Sequence, residues 1–507
     1  MSDRDPPFPP AVAASLGLGE GRPEIVETHS AWVVFLGDRA YKVKKPVRLG
    51  FLDFSTRAAR EVALRRELEL NRRLAPDVYL GIDDVVGPDG VVCDHVLVMR
   101  RLPDDRRLSV LVRSGAATSG DIRAIARAVA AFHGRADTSP EIDAVGHPAA
   151  IRGKVERDLE EMRAFVPTVL DAEQLDEVTG LVERYLEGRD ALLEARVDAG
   201  YVRDGHGDLL ADDVFCMSDG PRILDCIEFD DRLRYGDVLA DVAFLAMDLE
   251  YLGARDLAQQ LMIGYREFTD EHHPESLAHY YIAFRALIRS KVACTRFLQG
   301  DAPSRDAARS LLVLARDHLR RGLVRLVIVG GAPGTGKSTV AAGLGEQLGW
   351  VVLRSDEVRK EITGVSRDAR AAAAPGAGIY DAETTRATYT ELLARARHAL
   401  WMGESAILDA TWSAERYRQE AAAIARETVS DLVELRCDVA APIADARIGA
   451  RAASGTDISD ATVEAAPTLR ATFAPWPSAA SIMTDASPAE SVESALVVVA
   501  PERQRGP

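Results

Sequence analysis

The sequence predicts two domains in tandem, an α+β half followed by an α/β half built on a parallel sheet. Three observations lead there. The chain has 507 residues, more than a single hydrophobic core serves. The apolar run LVRLVIVG (323–330) enters GGAPGTGKST (330–339) and then VAAGLGEQLG. That is strand, glycine loop and helix in the order a phosphate-binding loop requires. Upstream, short strand patterns give way to long helical stretches and then to an acid-rich segment at 201–250.

The glycine loop is the most specific signal. Gly331, Gly336, Lys337 and Ser338 hold the defining positions of GxxxxGK followed by Ser or Thr, with Ala332, Pro333, Gly334, Thr335 and Thr339 completing the cradle. Backbone N–H groups freed by the glycines curl around phosphates, and the helix N-terminus adds partial positive charge. Lys337 is expected to neutralise the β- and γ-phosphates of ATP, and Ser338 to place its hydroxyl on Mg²⁺. Composition is that of an ordinary globular chain, 47% hydrophobic and 28% charged. A net charge of −17 disfavours a broad nucleic-acid or membrane surface. Five widely spaced cysteines without a CxxC, a polar N-terminus and no apolar run of spanning length lead to the expectation of a cytoplasmic protein.

Taken in order, residues 1–23 read as a disordered start. ETHSAWVVFLGDRAYKVKKP (27–46) reads as two strands joined at Gly37-Asp38, with Ala40, Lys42 and Lys44 on one face of the second. A lysine facing a cleft can hold phosphates; a solvated edge strand is the alternative. A helical pattern at 55–74 carries Glu61, Glu67 and Glu69, and 91–103 reads as a further strand pair. In the acid-rich segment, Asp208 lies in HGDL, Asp213 follows five residues later, and Asp225 and Glu228 follow the strand PRIL. Two carboxylates on neighbouring loops serve phosphoryl transfer, one accepting a hydroxyl proton and one holding Mg²⁺. Turn chemistry explains such acids equally well.

These residues resemble the aminoglycoside phosphotransferase family, a kinase-like fold, over 24–300. The resemblance implies that Lys42, or Lys44 in its stead, holds ATP and pairs with Glu67. It makes Asp208 the catalytic base and Asp225 a Mg²⁺ ligand, with His206 and Asp241 bracing the loop. Asp213 stands where the family has Asn, the second metal ligand, and Leu210 where His or Arg is usual. Oxygen from Asp213 can still bind Mg²⁺. Arg285 and Arg289, four apart on one face, are within reach of an acidic site or substrate, a surface ladder being the favoured reading, and 301–322 reads as a connecting helix.

The second half spans 323–499, with a disordered tail at 500–507. WVVLRSDEVRKEI (350–362) is a strand entering a helix; Asp356 is placed to take a proton from the acceptor and Arg359 to grip it, with Ser355 or Asp356 capping the helix. A loop at 367–385 precedes a helix, and Tyr380 is a candidate for the acceptor site. ESAILDATW (404–412) ends its strand in Asp409, a Mg²⁺ position reached through water. Arg447 and Arg451, one turn apart, look like a lid on the transferring phosphate. Together these residues resemble the gluconate-kinase-like and polynucleotide-kinase-like P-loop kinases, an AAA-type ATP-binding domain. The resemblances imply ATP- and Mg²⁺-dependent phosphoryl transfer to a hydroxyl of a sugar, sugar acid or amino sugar. A polynucleotide 5'-hydroxyl kinase and a nucleotide-sensing protein with one degenerate half are the alternatives.

Overall fold

The computed structural model of the chain describes residues 9–16, 24–28, 30–49, 52–87, 89–366, 378–454 and 466–501, the last four of the 378–454 block as backbone only. Two compact units interleave along the sequence. The first runs to Asp158 and adds Arg196–His272 and Phe284–Leu314; the second takes Leu159–Ala195, His273–Ala283 and the chain from Ala315 onward. Residues 159–195 therefore pack with the phosphate-loop half. Their helix Ala172–Glu187 buries Leu175, Val178, Val182 and Leu186 along one stripe, and a stripe alone does not say which neighbour covers it.

In the first unit, β1 (Glu24–Glu27), β2 (Ala31–Leu36) and β3 (Arg39–Lys44) are followed by the short pair β4 (Arg48–Leu49) and β5 (Leu52–Asp53), then β6 (Tyr79–Val86) and β7 (Val92–Arg100). Five of them form an antiparallel sheet in the order β1-β2-β3-β7-β6. Gly37 turns β2 into β3 with φ +56°, a left-handed conformation that glycine adopts without cost. The 91–103 stretch is thus one strand, β7, whose partner β6 precedes it; the apolar run VLVM (96–99) is buried on both faces of a central strand. β3 is also central, so its lysines are not edge gatekeepers. Helix Arg57–Asn71, capped by the Thr56 hydroxyl, lays Leu64 against Ala40, Tyr79, Leu97 and Met99. Two small ribbons follow, β8 (Val202–Asp204) with β11 (Tyr235–Asp237), and β9 (Val214–Met217) with β10 (Gly220–Ile223). Helix Val238–Tyr251 is buried along almost its whole length behind them. This is the α+β half that the sequence predicts.

The second unit is a P-loop fold. Its strands β12 (Arg325–Gly330), β13 (Val351–Arg354), β14 (Ala406–Asp409), β15 (Asp431–Asp438) and β16 (Ala480–Met483) form an all-parallel sheet in the order β13-β14-β12-β15-β16. β12 is buried at every position, as a central parallel strand covered on both faces must be. Leu326 and Ile328 pack with Leu392, Leu408 and Trp412. On the other face Val327 and Val329 meet Val340, Leu344 and Ile407. Helix Ser355–Ile362 follows β13 without a loop. Arg354 holds its N-cap position and no side chain caps it, so Ser355 and Asp356 are not the caps that sequence patterning indicated.

Candidate functional site

In the first unit, strand alternation brings Lys42 and Lys44 to one face of β3, where both meet Glu67. Lys42 Nζ lies 2.6 Å from Glu67 Oε1 and 2.8 Å from Asp225 Oδ1. Lys44 Nζ lies 2.8 Å from Glu67 Oε2 and 2.5 Å from Glu228 Oε1. Glu67 is fully buried, while Asp225 keeps 55% of its side-chain surface. Burial alone would depress Lys42, but Asp225, Glu67 and Glu228 together raise its pKa well above the ordinary value. Lys42 in turn holds Asp225 low. Both lysines of the sequence expectation therefore meet Glu67, and Glu228 joins Glu67 and Asp225 as a third carboxylate partner.

Asp225 has φ +63°. A non-glycine residue held there costs of order 1 kcal/mol and is retained where the surroundings dictate it. The backbone N–H of Asp225 donates to the Tyr79 hydroxyl at 3.2 Å and that of Cys226 to Asn71 Oδ1 at 2.9 Å. The loop bearing Asp208 is fixed from behind. Asp241 accepts from the N–H groups of His206 (2.7 Å) and Gly207 (2.9 Å), and from His133 Nε2 at 3.1 Å. His206 Nε2 donates to the Leu224 carbonyl at 2.9 Å. Asp208 itself has no hydrogen bond or ion pair among the described residues. Burial raises its pKa, Arg289 and His206 restrain the rise, and a carboxylate so placed accepts a proton more readily than an exposed one. Arg285 and Arg289 are accordingly half-buried beside Asp208 rather than a surface ladder. Helix Glu275–Leu298 meets helix Val238–Tyr251, where Arg285 donates to the Ala240 carbonyl at 2.9 Å, a neighbour that spacing alone does not reveal.

Asp213 closes a short 3-10 turn, Ala211–Asp213. Burial, then the charges of Asp225, Asp208 and Asp212, push its pKa well above the carboxylate range. A crowd of acids with so little countercharge fits a bound cation. No three metal-ligating side chains cluster as a protein-only cage among the described residues. Mg²⁺ does not need one, since it takes one or two carboxylates and fills its shell with phosphate and water.

In the second unit, Gly331, Gly334 and Gly336 have φ of +148°, +82° and +84°. A Cβ on Gly331 would stand 2.7 Å from the Cys437 carbonyl oxygen, and one on Gly334 2.5 Å from that of Ala444. The loop is closed by Thr335 Oγ1 donating to the Ala332 carbonyl (2.8 Å) and by Thr484 Oγ1 donating to the Thr335 carbonyl (2.7 Å). Lys337, at the start of helix Lys337–Leu348, has no hydrogen bond or ion pair among the described residues. Ser338 is half-buried beside it, and Thr339 and Pro333 flank the turn.

Register places Asp409 beside Arg354 and Val329 at the carboxyl edge of the sheet. Asp409 is 4% exposed; Arg354 Nε donates to its Oδ2 at 3.3 Å, while its Oδ1 is buried and unpartnered. An orphaned buried carboxylate oxygen fits a water-bound Mg²⁺. Burial raises the pKa of Asp356, with Lys337 and Arg359 acting against the rise and Asp409 with it. Those four groups share one field. Arg359 donates to the Ile379 carbonyl (2.9 Å) and lies 4.8 Å over the Tyr380 ring. The expected loop at 367–385 falls outside the described residues as far as 377.

Arg447 donates to the Thr484 carbonyl at 2.6 Å. It lines a cavity of about 320 Å³ with Gly334, Gly336, Thr339, Thr484 and Pro488. The side chain of Arg451 lies outside the described residues. Thr484 and this cavity were not anticipated. The pointer was the segment TDASP, where β16 ends and Ser487 caps the next helix through a reciprocal pair with Glu490.

Residues 326–476 match the AAA domain family model. The chain is 41% identical over 453 residues to the uncharacterized protein Rv2004c of Mycobacterium tuberculosis (strain ATCC 25618 / H37Rv), covering 89% of this chain and 90% of that one. The uncharacterized protein Mb2027c of Mycobacterium bovis matches to the same extent. Among solved structures, a choline/ethanolamine kinase family protein from Mesorhizobium loti covers 61% of this chain and 92% of its own, with 17% identity and a TM-score of 0.40. A gluconokinase from Sinorhizobium meliloti 1021 covers 35% and 92%, with 15% identity and a TM-score of 0.26.

Proposed function

The chain belongs to the family of the mycobacterial protein Rv2004c, and we propose that it is an ATP-dependent phosphotransferase with two sites, each passing the γ-phosphoryl to a hydroxyl of a small polar metabolite in the cytoplasm. The observation that supports this most is the convergence of Lys42, Glu67 and Asp225 within 2.8 Å of one ammonium, from three segments spread over some 180 residues of chain. A structural ion pair needs one partner; a lysine shared by a helix carboxylate and an exposed, backbone-strained aspartate is arranged for exchange with phosphate.

At the first site, Lys42 binds the ATP phosphates while Glu67 keeps it oriented. Asp208 accepts the proton of the acceptor hydroxyl as the new O–P bond forms and the γ-phosphorus parts from ADP. Asp225 and Asp213 would hold Mg²⁺, which neutralises phosphate charge when bound. At the second site, the 331–336 backbone and Lys337 bind the phosphates and Asp356 takes the proton. Arg359 orients the acceptor beside Tyr380, Ser338 and Asp409 would hold the metal, and Arg447 and Arg451 close over the transferring group. Catalysis is then positioning and charge neutralisation.

The test is Mg²⁺-dependent ADP release over a panel of sugars, sugar acids and amino sugars, for wild type, Asp208→Ala and Lys337→Ala. Each variant should abolish one acceptor-dependent activity and spare the other. A nucleotide-sensing first unit is the second reading, favoured by Asp213 in the position of the family's Asn. ATP binding without turnover there would select it.

A further inference from the structure

Helix Arg57–Asn71 carries Glu67, and its last turn reaches two loops that are distant in the sequence. Asn71 follows Glu67 by four residues, so both lie on one face of the helix. The Asn71 side chain is buried, and its amide is used at both ends. Nδ2 donates to the Glu67 carbonyl at 2.9 Å, and Oδ1 accepts the Cys226 N–H at 2.9 Å. With the nitrogen committed to the helix, the oxygen faces the loop, as a backbone N–H there requires. The adjacent N–H, that of Asp225, is taken by the Tyr79 hydroxyl at 3.2 Å.

Arg73 repeats the arrangement toward the other loop. Its Nε donates back to the Leu70 carbonyl at 3.1 Å. Nη1 and Nη2 donate to the carbonyls of Asp204 (3.1 Å) and Gly205 (2.9 Å), which lead into His206 and Asp208. The same guanidinium lies 3.2 Å from Cys226 Sγ and 4.9 Å over the Phe132 ring. Asp225, at φ +63°, keeps that conformation only where its surroundings impose it. Asn71 and Tyr79 supply those surroundings, and both are buried.

We propose that Asn71 and Arg73 are positioning residues of the first site: they tie the helix of Glu67 to the loops of Asp225 and Asp208, so that one helix end sets the lysine pair, the metal-binding carboxylate and the base relative to one another. Asn71 acts through Glu67 and Asp225, and Arg73 through the backbone that leads to Asp208. The proposal rests on the phosphotransferase reading of that site. A shift of about 1 Å in a reacting group costs about 10²-fold in rate.

The experiment uses the full chain with Lys337→Ala to silence the second site. ADP release is followed over the panel of sugars, sugar acids and amino sugars. Mg²⁺-dependent binding of a non-hydrolysable ATP analogue is measured by calorimetry. Asn71→Ala should lower kcat by about 10²-fold with KM for ATP little changed, and should raise the Mg²⁺ concentration at which the analogue binds. Arg73→Met, which keeps a stem on Phe132 and removes the donors, should also lower kcat with KM for ATP little changed. Added to Asp225→Asn, Asn71→Ala should cost little more, because it acts through that carboxylate. Asn71→Asp supplies a readout that lost stability would not. Protonated, its carboxyl donates to Glu67 and accepts from Cys226 as the amide does; ionised, it only accepts. Its kcat relative to the parent chain should therefore be restored at acid pH and fall as pH rises. Retained analogue binding shows that the variants are folded. An unchanged kcat in Asn71→Ala, losses that multiply with Asp225→Asn, or a ratio for Asn71→Asp that is flat with pH overturns the proposal. If the parent chain turns over nothing but binds the analogue, the phosphotransferase reading falls. The positioning role then stands or falls with the Mg²⁺ dependence of Asn71→Ala. If the parent chain binds no analogue either, both fall.

Discussion

The two lysines proposed to bind phosphate, Lys42 and Lys337, are held in opposite ways. Lys42 is 13% exposed and rests between Glu67 and Asp225; Lys337 stands at a helix start with no close partner among the described residues. A buried ammonium left bare is too costly, so the kinase-like unit supplies carboxylates that phosphate must later displace or share. The P-loop unit offers backbone N–H groups and leaves its lysine open, because Gly331, Gly334 and Gly336 take the positive φ of that loop at no steric cost. On the proposed reading, one site is balanced internally before ATP arrives and the other is balanced by ATP.

The largest expected effect sharpens that contrast. Lys337→Ala should lower kcat of the second activity by about 10³-fold and leave denaturant unfolding almost unmoved. Lys42→Ala should lower the first activity comparably and also destabilise its unit by about 3 kcal/mol, since Glu67 loses a partner in a buried cluster. Equal losses of stability in the two variants would break the comparison.

Glu67→Gln comes next, with about 3 kcal/mol lost from the same unit in a denaturant titration. The sign with pH follows from the shifts. The Glu67 pKa is lowered in the folded chain, so its contribution is present above the ordinary glutamate value and disappears as pH falls through the folded one. The Lys42 pKa is raised, so its contribution is present below the ordinary lysine value and disappears as pH rises through the folded one. The contribution of the Lys42–Glu67 pair to stability should therefore be flat between those limits.

Gly334→Ala tests the preformed loop. Its φ of +82° and the 2.5 Å approach to the Ala444 carbonyl predict about 1–3 kcal/mol of strain and loss of ATP-analogue binding at the second site alone. The smallest effect is that of pH through Lys154, whose pKa burial and then Arg285 bring down to about 8. From about 8 up to the ordinary lysine value, its depressed pKa makes stability rise with pH, because the unfolded chain binds the extra proton.

The motifs that stood out in the sequence are those whose chemistry is local. A P-loop is one continuous segment, and Gly331 to Ser338 carry their own geometry in their residue types. β3 alternation was likewise readable, but which lysine served was not, since both share Glu67 only after the helix Arg57–Asn71 docks. Arg285 and Arg289 were misread because spacing on a helix shows a shared face without showing its neighbour. Lys154 and Thr484 carry no motif at all.

By itself, then, the sequence determined the strand–loop–helix of the nucleotide site, the acids of the 205–228 loops and the order of two domains, because backbone conformation and alternation are set by near neighbours. Only the tertiary structure decided which charges meet. The pairing of Lys42 with Glu67 and Asp225 and the assignment of residues 159–195 to the second unit both depend on segments far apart in the chain, and the distance and burial that set an electrostatic energy exist only once those segments have packed.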